Sequence, residues 1–266
     1  MELLVIGGGN MGFTYAKSIL DSGEVASGSI SILETHTSRI EELKEHSNFT
    51  IYDSIACISS VDIVFLATKP QQCKELFENI KHLVKPNQLF ISVMAGVTIA
   101  SIQEGLGTKK VARAMPNLPA QLGKGMTGFT GAKELTEREL MQVEKLLETT
   151  GKAMRVSSET SIDAVTGISG SGPAYVFYFM QGMVDAALHM GFNEAEAKEM
   201  VSQTFEGAVA QFKESNDSLL TWMNRVASKG GTTRAALDSF DENNLNKLIQ
   251  EGAFAAQNRA IELGKK

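Results

Sequence analysis

The stretch that most limits what this chain can fold into is Gly7-Gly8-Gly9-Asn10-Met11-Gly12. It directly follows "ELLVIG" (residues 2–7), a short apolar run that reads as a strand buried on both faces. It directly precedes a run that reads as a helix from Asn10 to about Ser22. Between a strand and a helix the spacing G-x-G-x-x-G acquires a physical meaning. Gly7 permits the tight turn, Gly9 lets the backbone approach a pyrophosphate, and Gly12 allows close packing of helix on strand. The helix start at Asn10 and Met11 then offers backbone N–H groups to the phosphates.

The same strand–helix rhythm continues. "SISILE" (29–34) reads as a second strand, "SRIEELKE" as a helix, residues 49–51 as a short strand and 54–59 as a helix. "VDIVFLAT" (61–68) is a buried strand, followed by a helix near 72–82 and by "QLFISVMA" as the next strand. "KVARAMPN", "MTGFTG" and "KAMRVS" supply further strands. Between the last two, Thr136 and Glu139 form a capping box ahead of a helix carrying Leu140, Val143, Leu146 and Leu147. This alternation predicts a doubly wound parallel sheet. Beyond about Ser158 the strand signals stop, and helices from about Pro173, Glu194, Ser218, Thr232 and Asn243 fill the rest. The expected division is a dinucleotide-binding domain over 1–158 and a helical domain over 159–266.

Ligands of such sheets bind outside the C-terminal ends of the strands. Three groups belong to that edge. Glu34 ends the second strand, 22 residues after Gly12, where a carboxylate accepts hydrogen bonds from a ribose and repels a 2′-phosphate. That favours NADH over NADPH, with Thr35, His36, Ser38 and Arg39 close enough to hold a phosphate instead. Ala67, Thr68, Lys69 and Pro70 end the strand at 61–68, with Pro70 stopping it and Lys69 held extended. Ala95, in "SVMAG", leaves room for a nicotinamide ring.

Charge and composition remove other classes. A net charge of -6, with no Lys/Arg cluster, argues against a nucleic-acid partner. Cys57 and Cys73 match no metal spacing, and the four histidines make no HExxH-type pair, so no metal site is expected. The thiols suit a reducing cytoplasm. "MELLVIGGGN" lacks the basic start and long apolar region of a secretory signal. The most apolar run, 174–191, carries Gln181, Asp185 and His189 as one polar stripe. It therefore reads as a helix buried in a core or a dimer rather than in lipid, and no membrane partner is expected.

Two segments of the C-terminal half carry chemistry. Gly167, Gly170 and Gly172 with Thr166, Ser169 and Ser171 precede Pro173, which suits a first helical turn. The glycines match the GxxGxGxxxK pattern of β-hydroxyacid dehydrogenases, but Val176 and Met180 stand where that group has its lysine and asparagine. No base for oxidising an alcohol is present there, and an imine, which needs none, fits better. The second segment, "VASKGGTTRAAL" (226–237), interrupts a helical region. Gly230 and Gly231 free the backbone, while Ser228, Thr232 and Thr233 add hydroxyl donors to a helix start, which makes an anion site without a charged side chain.

Taken together, "VIGGGNMG", "ATKPQ", "ISVMAGV", "ARAMPNLPAQLGKG", "AVTGISGSGPAYVF", "VASKGGTTRAAL" and "QNRAIEL" resemble pyrroline-5-carboxylate reductases over essentially the whole chain. The resemblance implies a Rossmann-like N-terminal domain followed by an all-helical C-terminal domain that dimerises and in many members builds larger rings. It implies NAD(P)H-dependent reduction of 1-pyrroline-5-carboxylate to L-proline. Ser228, Thr232 and Thr233 map onto its carboxylate-binding positions, and Thr166 is the candidate proton donor near the ring nitrogen.

Three positions depart from the family pattern. Lys229 stands where proline is common, Glu34-Thr35 where many members carry a polar–arginine pair for a 2′-phosphate, and Ser54 where asparagine often contacts adenosine. Another imine reductase on the same scaffold, or a non-catalytic dinucleotide-binding regulator, are the alternatives left open.

Overall fold

Four-residue strands that are wholly or mostly apolar form the centre of the sheet. The computed structural model describes residues 1–26, 28–45 and 49–264. Its strands are β1 (Leu3–Ile6), β2 (Ile30–Leu33), β3 (Thr50–Tyr52), β4 (Ile63–Leu66), β5 (Leu89–Ser92), β6 (Val111–Met115), β7 (Gly125–Gly131) and β8 (Gly151–Arg155). They make one sheet in the order β3-β2-β1-β4-β5-β6-β7-β8. The first six run parallel, and the order reverses direction at β1, between β2 and β4.

The expectation of a parallel sheet needs one correction. β7 runs antiparallel to β6, with Ala112 opposite Gly131 and Met115 opposite Gly128. The chain returns from β6 through a 3₁₀ turn at Leu118–Leu122 rather than a crossover helix, and a short connection of that kind permits only an antiparallel neighbour. β8 then pairs with β7 in parallel, after a full helix.

Both faces of the sheet are covered, as side-chain alternation requires. Leu3, Val5, Ile63, Phe65, Leu89 and Ile91 face one layer, which holds Tyr15 and Ile19 of α1 (Asn10–Ser22) and Val143 and Leu147 of α5 (Glu137–Glu148). Leu4, Ile6, Val64, Leu66 and Phe90 face the other. That layer holds Phe77 and Ile80 of α3 (Cys73–Ile80) and Ile102 and Leu106 of α4 (Ile99–Leu106). The remaining helix of this part, α2 (Thr37–Glu45), buries Leu43. The helix expected near 54–59 is a 3₁₀ turn at Ile55–Ser60, capped by Ser54. The sequence reading did not include α4, although Thr98 accepts from Ser101 N–H at its start and Gly107 closes it with φ 67°.

By contacts the chain divides into two compact units, residues 1–173 with 255–266, and residues 174–254. The first unit includes a helix absent from the sequence reading, α6 (Glu159–Val165), which packs on β6 and β7. A π-helical turn at Thr166–Gly170 follows it. The other helices are α7 (Gly172–His189), α8 (Glu194–Lys213), α9 (Leu219–Val226), α10 (Thr232–Glu242) and α11 (Leu245–Leu263). In the second unit the buried apolar residues among those described are Ala187, Ala197 and Val201, while Phe179 meets Phe205 and Phe240 edge-on but stays exposed, as does Phe240. Phe177 is 57% exposed and Tyr178 85%, so α7 is not buried within its own chain, and Leu220 of α9 is 63% exposed. No helix among the described residues is long and apolar enough to cross a membrane.

The capping box of α5 forms as read from the sequence: Thr136 Oγ1 accepts Glu139 N–H at 3.3 Å, and Glu139 Oε2 accepts Thr136 N–H at 2.8 Å. Partial burial opposes the charge on Glu139, but hydrogen bonds from Lys110 and Thr136 outweigh it and hold the carboxyl below its usual range. A depressed carboxyl stabilises the fold above the unfolded value, about pH 4.3, and that stability is lost as pH falls through the lowered one. Thr136→Ala is expected to cost about 1 kcal/mol in denaturant unfolding. Glu139→Gln is expected to flatten the loss of stability below about pH 4.3.

Candidate active site

The glycine turn after β1 is shaped by how closely it passes β4. Gly7 has φ +100°, and a Cβ there would stand 2.8 Å from the Ala67 carbonyl oxygen. A Cβ on Gly12 would collide with the Gly7 carbonyl, so the third glycine is needed for helix α1 to start against the strand. Gly9, the residue preceding α1, has nothing within 4 Å of its missing side chain. Open space above Gly9 is what a pyrophosphate cradle requires. The first bond inside α1 runs from Phe13 N–H to Gly9 carbonyl at 2.9 Å, so the N–H groups of Asn10, Met11 and Gly12 precede the helical ladder.

Glu34 lies at the end of β2 and is buried. Its Oε2 accepts Gly8 N–H at 2.9 Å, and its Oε1 accepts Thr35 N–H at 2.7 Å and His36 N–H at 3.0 Å. Arg39 closes the other side of Gly8, donating from Nε to the Gly8 carbonyl at 2.7 Å, while Nη1 pairs with Glu42. Its guanidinium lies 5.6 Å from the Phe13 ring centroid. Gly8 itself is tight, since a Cβ there would stand 2.5 Å from Leu43 Cδ1. Neither Gly8 nor this grip on it was visible in the sequence, because the motif specifies only the first, third and sixth positions. Thr35 is exposed beside it.

At the next strand end, Ala67 N–H donates to the Ile6 carbonyl at 2.9 Å. Thr68 Oγ1 donates to Met94 Sδ at 3.3 Å, tying the β4 edge to the β5 edge. Lys69 is extended and exposed, and Pro70 opens a short 3₁₀ turn. Pro70 and Ala95 line one open cleft of about 870 Å³ with Cys73, Phe77 and Gly96. The cleft is closed on one side by the end of α11, which packs on Gly96 (φ +77°) through Leu263 and Gly264. The structure therefore gathers Gly7 to Gly12, Glu34, Ala67 to Pro70 and Ala95 along one edge of the sheet, outside the switch at β1.

Thr166 opens the π-helical turn, and its Oγ1 donates to the Ile162 carbonyl at 2.9 Å. With its proton engaged there, the hydroxyl keeps its lone pairs for an N–H donor.

In the second unit, the "VASKGGTTRAAL" segment is a break between two helices rather than a weakened one. α9 ends at Val226 and α10 begins at Thr232. Gly231 N–H donates to the Ser228 carbonyl at 3.0 Å, and Gly230 has φ +72°. A turn closed from i to i+3 with positive φ at its third residue is type II, and Lys229 is its second residue. Proline is favoured but not required at that position, so the turn forms with lysine there. The side chain of Lys229 is exposed. The ladder of α10 starts with Ala235 N–H to Gly231 carbonyl at 3.2 Å, which leaves the N–H groups of Thr232, Thr233 and Arg234 ahead of it.

A mostly parallel sheet with this edge defines a Rossmann-type dinucleotide-binding protein. Comparison with known proteins narrows the class. Residues 2–96 match the model described as NADP oxidoreductase, coenzyme F420-dependent, and residues 159–263 match that of pyrroline-5-carboxylate reductase dimerisation. The pyrroline-5-carboxylate reductase of Pseudomonas aeruginosa is 32% identical, over 99% of this chain and 97% of its own. Pyrroline-5-carboxylate reductase 2 of Bacillus subtilis is 36% identical, over 97% and 93%. The solved pyrroline-5-carboxylate reductase of Coxiella burnetii superposes with a TM-score of 0.90 at 30% identity, covering 100% and 99%. The chain belongs to the pyrroline-5-carboxylate reductase family.

The type II turn carries its own test. Lys229→Pro is expected to stabilise the protein by roughly 0.4–1 kcal/mol through the unfolded state, with kcat/KM unchanged. A large fall in kcat/KM would show instead that the lysine charge takes part in substrate capture.

Proposed function

We propose that this chain reduces 1-pyrroline-5-carboxylate to L-proline by hydride transfer from NAD(P)H. The observation that carries the reading is the pairing, in one chain, of the glycine-turn edge with the Ser228–Thr233 break, in a member of this family. Residues 1–158 serve as the dinucleotide-binding domain and 159–266 as the substrate-binding and dimerisation domain. The family model that begins at residue 159 supports that boundary. The bound cofactor supplies the hydride that reduces the imine carbon.

The chain's own residues hold and orient. Gly7, Gly9, Asn10, Met11 and Gly12 take the pyrophosphate through backbone N–H groups and open space. Ala67, Thr68, Lys69, Pro70 and Ala95 line the nicotinamide end. Ser228, Thr232 and Thr233, with the turn at Gly230 and Gly231, take the substrate carboxylate at a helix start. Helix partial charge, N–H groups and hydroxyls suit one small anion and leave no fixed cation to bind it too tightly. A protonated imine is already electrophilic, so positioning supplies much of the rate, on the order of 7–11 kcal/mol in favourable cases. Thr166 serves the ring nitrogen. Because its proton goes to Ile162, it holds the iminium N–H as an acceptor, and acting as proton donor would require release of that bond.

NADH is the preferred cofactor in this reading. A carboxylate at the end of β2, such as Glu34, would repel a 2′-phosphate, and Arg39 is engaged by the Gly8 carbonyl and Glu42. The exposed apolar faces of α7, α9 and α11 support a homodimer through the helical domain, from which larger rings can be built. The protein acts in the cytoplasm.

Thr233→Ala is expected to raise the KM for pyrroline-5-carboxylate about tenfold or more, since a hydrogen bond to a charged group is worth roughly 1.5–3 kcal/mol. The KM for cofactor should stay unchanged, and an unaltered substrate KM would remove the carboxylate assignment. Comparing kcat/KM for the two cofactors tests Glu34: a ratio favouring NADPH would overturn the NADH preference.

A further inference from the structure

We infer that Asn117 is a positioning residue for the imine nitrogen, acting through the turn that carries Thr166; this rests on the assignment of Thr166 made above. Arg113, Met115 and Asn117 alternate along β6 and the residues just after it, so their side chains emerge on the same side. All three grip the segment 159–170.

Arg113 holds its beginning. The guanidinium, 3% exposed, donates to Glu159 Oε1 at 3.0 Å and to Asp163 Oδ1 at 2.9 Å, two carboxylates one turn apart on α6. Glu159 Oε1 also accepts Ile99 N–H at 2.7 Å, which ties α6 to the start of α4. Met115 lies against the end of the segment, where a Cβ on Gly170 would stand 2.9 Å from its Cε.

Asn117 solves a specific problem in between. In a helix the Ser169 carbonyl would accept from residue 173, but that residue is proline and has no N–H. Asn117 Nδ2 donates to the Ser169 carbonyl at 3.0 Å in its place. Its Oδ1 accepts Met126 N–H at 2.9 Å, which fixes the amide from the β7 side and aims its N–H group at the turn. The turn widens to i→i+5 closure, with Ser171 N–H on the Thr166 carbonyl at 2.9 Å. Single π turns of this kind recur at functional sites. Asn117 thus sets the turn whose first residue is Thr166, without touching the substrate.

Asn117→Asp separates the two halves of this role, because the acid keeps the acceptor for Met126 and loses the donor for Ser169. Steady-state kinetics of Asn117→Asp, Thr166→Ala and the double variant are compared in the full protein. The expected result is a fall in kcat of about tenfold for N117D with KM for NADH unchanged. The double variant should be no slower than the slower single one. Losses that multiply would mean that Asn117 acts independently of Thr166 and would overturn the proposal. Wild-type kcat in N117D with T166A impaired would overturn the positioning role and leave the Thr166 assignment standing. Wild-type kcat in T166A would overturn that assignment and this proposal with it. If N117D does not fold, Asn117→Leu, which is of similar size and has no donor for the Ser169 carbonyl, is read by the same criteria.

Discussion

The backbone of Gly7 passes the backbone of Ala67 so closely that no side chain fits between them, and the cofactor edge depends on that approach. β1 and β4 lie side by side in parallel register, with Ile6 accepting from Ala67, and this brings the glycine turn over the end of β4. Gly12 lets α1 start at once, so its first N–H groups arrive at the same edge. The turn is then locked from the opposite side. Glu34 takes the Gly8 N–H and Arg39 takes the Gly8 carbonyl, so both halves of that residue are committed. A loop held at both its amide and its carbonyl costs little further entropy when a pyrophosphate binds, which is the use of preorganisation.

The division of labour follows from what each part can offer. A parallel sheet edge gives fixed backbone geometry and suits a long dinucleotide, which it can hold at several points. The proposed substrate is small, and the helix start at Thr232 with the hydroxyls of Ser228, Thr232 and Thr233 has the polarity that one carboxylate needs. The ring nitrogen is assigned in the proposal to the turn at Thr166–Gly170, where Pro173 has no N–H for the Ser169 carbonyl and Asn117 donates to it instead. The helical part leaves Phe177, Tyr178 and Leu220 uncovered, a surface the dimerisation family model leads one to expect.

Much of the sheet was legible because its strands are continuous apolar runs closed by glycine or proline. Leu3–Ile6, Ile63–Leu66 and Leu89–Ser92 fall inside the runs read from the sequence. The α5 capping box was legible because both halves of the motif are local. Two kinds of feature were not. α4 and α6 are helices of eight and seven residues, too short for their apolar spacing to stand out, although Thr98 and Ser158 cap them. The antiparallel turn of β7 depends on connection length rather than on the strand's own residues. At the site, the glycine spacing and the hydroxyl-rich break could be seen. The grip on Gly8, and the donation of Asn117 to Ser169, could not, because each joins residues at least 26 positions apart.

In the proposed reaction, hydride passes directly to the imine carbon of the substrate. The most direct measurement is turnover of 1-pyrroline-5-carboxylate with cofactor deuterated at nicotinamide C4 on the transferred face, followed by mass analysis of the proline formed. The account predicts one deuterium per proline, located at C5. Proline without deuterium, or oxidation of cofactor without proline, would contradict it.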